Sequence, residues 1–209
     1  MLSKHFRVVL SEGERAASYE SLYYDTPQRD FFHEHRRGVK PRHKVRIRHY
    51  VERNVCFLET KEKTKYGVTN KSRQLRDPRS FALSSEDRAW IASVVGPTAP
   101  LVPRCWITFP RVTLVGVHHE ERVTFDLGVA FDRGDQHVAF EGVVIAEVKQ
   151  PRFDARSPAM QALRSFHIRP RRVSKYCAGV SLLEPHIQTH VFRPIVRDLC
   201  RLEHARSLS

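Results

Sequence analysis

Lys44, Arg46 and Arg48 stand at alternate positions of KVRIRHY, and Glu59, Lys61 and Lys63 do the same in the segment CFLETKEK that follows. Side chains two apart share one face of a strand, so each segment gathers its charges on one side. Tyr50 and Phe57 join that face, and Val45, Ile47, His49, Leu58 and Thr60 take the other. The pattern returns in Lys71 and Arg73, in Arg122, Thr124 and Asp126, and in Glu147 and Lys149. Rows of arginine and lysine with an occasional carboxylate bind and neutralise anions, and several such rows together match a string of phosphates. A single charged hairpin ordinarily keeps its polar face in water. Repetition over several strands points instead to a closed or nearly closed sheet with those faces turned inward around a cationic channel.

The elements needed to hold these rows can be read along the chain. Residues 6–10 read as a strand, 11–14 as a turn and 19–24 as a second strand, which together suggest an opening hairpin. Asp25 or Thr26 can cap a short helix through QRDFFHEHRRG, with Pro27 in its first turn and Gly38 as its stop. His33, Glu34 and His35 lie two apart or closer, so a helix does not bring them to one face, and they read as surface residues. The charged hairpin 44–63 and a third strand over 69–75 follow. Ser84 with Glu86 and Asp87 starts a helix whose stripe of Trp90, Ile91, Val94 and Val95 should pack outside the sheet. Beyond a proline-rich linker, 105–117 is extended, with Pro110 marking a sheet edge or a bulge. Strands are expected over 121–127 and around 130–131, and GVVIAEVK at 142–149 reads as a buried strand ending in two ionisable residues. Helices are expected over 158–166, from Ser174 through SKYCAGVSLLE with Tyr176, Val180 and Leu183 facing the core, and in the basic tail 192–206. Lys175 sits in a first helical turn, where the dipole disfavours a cation. Either an anion binds there beside it, or it is a solvated lysine.

The chain has 209 residues, enough for one substantial domain, and 36 Lys+Arg against 23 Asp+Glu give a net charge of +13. The partner is therefore expected to be polyanionic. Cys56, Cys105, Cys177 and Cys200 are scattered without a CxxC pair, which argues against a zinc site or a disulfide framework and fits reduced cytoplasmic thiols. No apolar run approaches the roughly 18 residues of a membrane helix, and the first ten residues lack a signal-peptide core, so the chain is expected to be soluble and cytoplasmic. No P-loop, kinase signature, HExxH or catalytic triad is present. Tyr50 and Phe57 are too few to interleave the cations as a nucleic-acid surface would require, so no specific nucleic acid is expected.

Six segments, SLYYDTP (21–27), HKVRIRHY (43–50), CFLETKEK (56–63), RVTFDLGV (122–129), AEVK (146–149) and SKYCAGV (174–180), occur in an order that resembles the VTC domain. That family is the polyphosphate polymerase module of the CYTH-like triphosphate tunnel superfamily. The match runs from about 19 to 192 within a single domain spanning 1–209. The resemblance implies an α+β fold, an antiparallel β tunnel with helices packed outside, and transfer of the terminal phosphoryl group of ATP or another nucleoside triphosphate to a polyphosphate chain. It implies that Arg46, Arg48, Lys61 and Lys175 serve catalysis. Lys71, Arg73, Arg111, Arg122 and Lys149 would bind substrate, and Glu147 would hold a divalent metal, Mn²⁺ or Mg²⁺. It is compatible with a membrane partner that receives the polymer. A triphosphate hydrolase of the same superfamily and a non-catalytic polyanion-binding module are the alternatives. The family's usual first strand, with an R-x-E-x-K-like pattern, and its helix have no counterpart among the twenty residues before Ser21. A tunnel lacking one stave, able to bind phosphate chains but poor at synthesis, is therefore the expectation for the chain as it stands, unless more chain lies upstream.

Overall fold

The computed structural model describes residues 2–206. After a short 3-10 turn at Leu2–Lys4 come β1 (Phe6–Val8), β2 (Ala16–Asp25), α1 (Asp30–Arg37), β3 (Arg42–Tyr50), β4 (Val55–Lys63), β5 (Thr69–Arg76) and α2 (Ser85–Val95). The second half holds β6 (Val102–Gly116), β7 (Arg122–Arg133), β8 (Gln136–Lys149), α3 (Pro158–Ser165), α4 (Lys175–Leu183) and α5 (Arg193–Arg206). The strands form one antiparallel sheet in the order β5-β4-β3-β2-β6-β7-β8, with β1 also on β6. No ladder joins β5 to β8, so the sheet is curled but not closed.

The opening hairpin does not form. β1 pairs with the end of β6, Phe6 opposite Gly116 and Val8 opposite Leu114, and β2 continues along the same edge with Ala16 opposite Val112. The two strands are one interrupted stave, and the turn at 11–14 closes on itself through a bridge between Ser11 and Glu14. The turn signal was real, but the long β6 offers both strands a partner. Pro110 lies on this central strand rather than at a sheet edge, and the β6–β7 register shifts between Thr108 and Arg111, as a residue without an N–H requires. The two strands expected over 121–131 are one, β7, bulged between Leu127 and Val129 where Gly128 takes φ 50°. β8 is also unlike the buried strand expected: it is an edge, and Val144 is exposed while Phe140 and Val143 are buried.

Alternation then sorts the core. On the convex face Leu22, Val45, Ile47 and Leu58 pack with Ile91 of α2, and the side chains of Ile47 and Leu58 are wholly buried, each worth roughly 1.5–3 kcal/mol. Ser84 caps α2 reciprocally with Asp87. Ala159 of α3 packs with Phe6 and Val123. The rule that helices pack outside thus holds for α2 and α3. By contrast, α4 sits in the concavity, where Tyr176, Val180 and Leu183 pack on Tyr23, Ile107, Phe109 and Phe131. Gly179 allows this approach: a Cβ there would lie 2.7 Å from both Cys105 Sγ and Phe131 Cδ1. Leu199 of α5 completes that cluster.

Asp25 joins the two ends of this arrangement. Its carboxylate accepts from the N–H groups of Phe31 (3.0 Å) and Phe32 (2.9 Å) in the first turn of α1 and from the Tyr176 hydroxyl of α4. Thr26 Oγ1 accepts from Asp30 N at 3.0 Å. Asp25 and Thr26 thus accept first-turn N–H groups, but the N-cap position itself is Arg29, α1 begins at Asp30, and Pro27 lies before it instead of in its first turn. At the other end of α4, the fully buried Glu184 pairs with Arg29 and, at 3.0 Å, with Arg133. No helix among the described residues is long and apolar enough to cross a membrane. All four cysteines are free.

Candidate functional site

The curl of the sheet and the N-terminus of α4 enclose a cavity of about 1000 Å³ whose wall carries residues of both free edges, Lys71 and Arg73 from β5 and Glu147 and Lys149 from β8. Twelve lysines and arginines line it against three carboxylates, Glu12, Glu59 and Glu147, so its field favours an anion with many charges. The wall includes all ten residues singled out from the sequence: Arg46, Arg48, Lys61, Lys71, Arg73, Arg111, Arg122, Glu147, Lys149 and Lys175.

Strand register sets the spacing. Lys44, Lys61 and Lys71 stand opposite one another across β3, β4 and β5. Like charges in such a row repel, and Lys61 is held below the ordinary lysine pKa by partial burial and by the ammonium groups of Lys44 and Lys71, with Glu147 opposing. One row deeper, Arg46 faces Glu59, which faces Arg73. On the opposite wall Arg111 faces Asp126, and Arg122 faces Lys149.

The deep cations are held by partners of their own. Arg46 Nε donates to Glu59 at 2.7 Å and its Nη1 to the Tyr23 hydroxyl at 2.7 Å. Arg48 donates to Ser21 Oγ at 3.0 Å and lies 5.2 Å over the Tyr19 ring. Arg111 and Lys175 both bind the carboxylate of Asp126, which is 1% exposed. Burial alone would raise the pKa of Asp126, but the Arg111 hydrogen bond and the Lys175 charge outweigh it and hold the carboxyl below its usual range. Lys175 is therefore not a solvated lysine: it bridges Asp126 and the cavity, with Phe109 4.9 Å beneath it. Lys44 donates to Ser174 Oγ at 2.8 Å, tying β3 to the N-cap of α4. Tyr23 is buried among Arg46, Arg48 and Lys44; burial opposes its ionisation, yet those cations bring the phenol down to about 8. Lys71, Arg73, Arg122, Glu147 and Lys149 are exposed at the rim.

Sequence reasoning passed over Asp126, Glu59 and Tyr23 as site residues. The signal was present, because Glu59 and Asp126 fall on the cationic faces at the same two-residue period. What was missing was the register that sets each against its arginine.

Among the described residues no three His, Cys, Asp or Glu side chains gather as a metal cluster. Glu147 instead stands opposite Thr124, whose buried hydroxyl has no hydrogen-bond partner, and Lys149 Nζ lies 3.6 Å from its carboxylate. One carboxylate beside an orphaned hydroxyl suits a hard cation that takes its remaining oxygens from a bound phosphate. The arrangement as a whole can position phosphates and neutralise their charge.

The family model described as the VTC domain matches residues 1–184. No curated protein matches the sequence significantly. Among solved structures, a presumed adenylate cyclase from Bacillus halodurans superposes with a TM-score of 0.51 at 12% identity, covering 79% of this chain and 82% of that one. A presumed adenylyl cyclase from Hippeastrum, described as having a dominant triphosphatase activity, gives 0.45 at 16% identity over 80% and 83%. The first likeness is one of fold.

Proposed function

The chain belongs to the VTC domain family, and from that premise we propose that it transfers the terminal phosphoryl group of a nucleoside triphosphate to the end of a polyphosphate chain inside the cationic cavity. The observation that carries this reading is the convergence of twelve cations, ten of them from the strands and α4, on one cavity of about 1000 Å³. In such a transfer the attacking oxygen belongs to a phosphate and is already anionic. No general base is needed, and the work left to the protein is alignment and neutralisation of charge.

The residues divide that work. Arg46, fixed by Glu59 and Tyr23, and Arg48, fixed by Ser21, present guanidinium donors at the floor of the cavity. Arg111 and Lys175, held together on Asp126, deliver two more positive charges from the opposite wall. Lys61, Lys71, Arg73, Arg122 and Lys149 would grip the rest of the chain, and the repulsion in the lysine row is relieved as phosphates fill it. A divalent cation, when bound, would be held by Glu147 and would supply further neutralisation of phosphate charge.

Incubating the protein with ATP and Mn²⁺ and resolving products on a gel tests this. Polymer that grows with time, though slowly because the sheet is left open between β5 and β8, is expected. Free phosphate released from triphosphate without polymer would replace the reading with that of a hydrolase, and tight polyphosphate binding with no product would leave a binding module.

A further inference from the structure

Outside the cavity, the segment 150–173, which carries α3, has a composition unlike the rest of the surface. It holds six arginines, Arg152, Arg156, Arg164, Arg169, Arg171 and Arg172, against one acid, Asp154. Only Arg171 has a carboxylate partner among the described residues, Asp198 at 3.4 Å. Arg164 donates to a backbone carbonyl, and the other four are exposed to solvent.

Large apolar side chains stand exposed among them: Phe153 is 73% exposed, Phe166 72% and Ile168 54%. Of the twelve phenylalanines in the chain, Phe153 and Phe166 are the ones exposed among the described residues. This exposure is not that of a loose loop. Buried Glu121 accepts from Ser157 Oγ at 2.6 Å and from Gln150 Nε2 at 2.7 Å, and Gln161 Nε2 donates to Arg156 O at 2.7 Å. Ile168 N closes on Leu163 O at 3.0 Å and Arg164 donates to Ala155 O, so both flanks of α3 are pinned to it and form one lobe.

We propose that the α3 lobe docks the domain on an anionic lipid bilayer, with Phe153, Phe166 and Ile168 entering the headgroup boundary and the arginines meeting lipid phosphates and carboxylates. Charge complementarity selects an anionic surface. The hydrocarbon side chains select a bilayer over a soluble polyanion, because Ile168 offers nothing to a phosphate chain and is not a base-stacking platform, whereas interfacial binding grows with buried apolar area. The lobe follows β8 directly, and Arg171 also lines the cavity, so a bilayer bound there would lie beside its mouth.

Co-sedimentation of the full chain with vesicles of phosphatidylcholine containing about one third phosphatidylserine tests the proposal. Binding is expected to fall at least tenfold on pure phosphatidylcholine, in the Phe153→Ser/Phe166→Ser/Ile168→Ser variant and in the Arg169→Ala/Arg172→Ala variant, while Arg46→Ala/Arg48→Ala in the cavity leaves it unchanged. Circular dichroism of the serine variant checks that it is folded. Sedimentation that survives the serine changes, or that vanishes with the cavity variant, overturns the proposal. So does binding of the lobe to soluble polyphosphate or single-stranded nucleic acid with no binding to vesicles.

Discussion

Two side chains beneath the cations govern how the cavity is charged. Tyr23 accepts from Arg46 Nη1, has its phenol at about 8, and is faced by Lys44, Arg46 and Arg48 from β3, Glu59 from β4, and Lys175 and Tyr176 from α4. Below that pH the hydroxyl is neutral and can donate to a phosphate oxygen. Above it the phenolate takes up the charge of Arg46 and repels the ligand. Affinity for polyphosphate should therefore fall as pH rises through about 8, by at most about tenfold per pH unit. Tyr23→Phe, which keeps the ring stacked on Tyr176, should flatten that limb in a fluorescence titration; an unchanged limb would show that Tyr23 does not meet the phosphates. Asp126 acts in the other sense, as a holder of Arg111 and Lys175. Asp126→Asn removes a negative charge from the wall, so binding of the chain should be kept or strengthened. The two cations lose their anchor, and the transfer rate should drop on the order of a hundredfold. Loss of affinity together with rate would count against a positioning role. Because its folded pKa is depressed, Asp126 contributes stability that is present above the ordinary carboxylate pKa and lost as pH falls through the folded value.

At the scale of elements, what could be read from the sequence and what could not divide along the range of the interactions. β3, β4 and β5 were legible because their two faces differ at every second residue, and α2 because Ser84 and Asp87 cap it locally. β1 was misread as the partner of β2 because the turn between them is local, while its true partner β6 lies about a hundred residues on. β8 reads as buried by composition and lies at an edge because nothing follows it in the sheet. The placement of α4 inside the concavity was equally hidden, although Gly179 is its trace. Alanine at a helix interior is favoured over glycine by about 1 kcal/mol. Here its Cβ would meet Cys105 Sγ and Phe131 at 2.7 Å in a core with no slack, and overpacking costs about 1–3 kcal/mol. Gly179→Ala should therefore lower the urea midpoint despite the better propensity. A raised midpoint would mean that α4 can withdraw from the sheet at little cost.

Over the whole molecule, ten residues chosen from scattered segments line one cavity: nine because strand alternation and the curl of the sheet turn one face inward, and Lys175 because α4 begins at the cavity. Their partners Glu59 and Asp126 could not be assigned until the register was known. The same geometry makes a prediction about ionic strength. The net charge of +13 alone would attract any polyanion weakly and be screened within a Debye length of about 8–10 Å. A cavity that gathers twelve cations must instead displace many counterions from one phosphate chain, so log K should fall steeply and linearly with log salt. Each cation that contacts the chain adds roughly 0.7–1 to the slope, and Arg46→Ala/Arg48→Ala should flatten it by about 1–2 as well as weakening binding at every salt concentration. Arg152→Ala/Arg156→Ala, made outside the cavity on the α3 lobe, removes the same charge from the molecule and serves as the control. If isothermal titrations over a range of NaCl concentrations give both double variants the same slope, the chain is held by overall charge and the cavity is not its site.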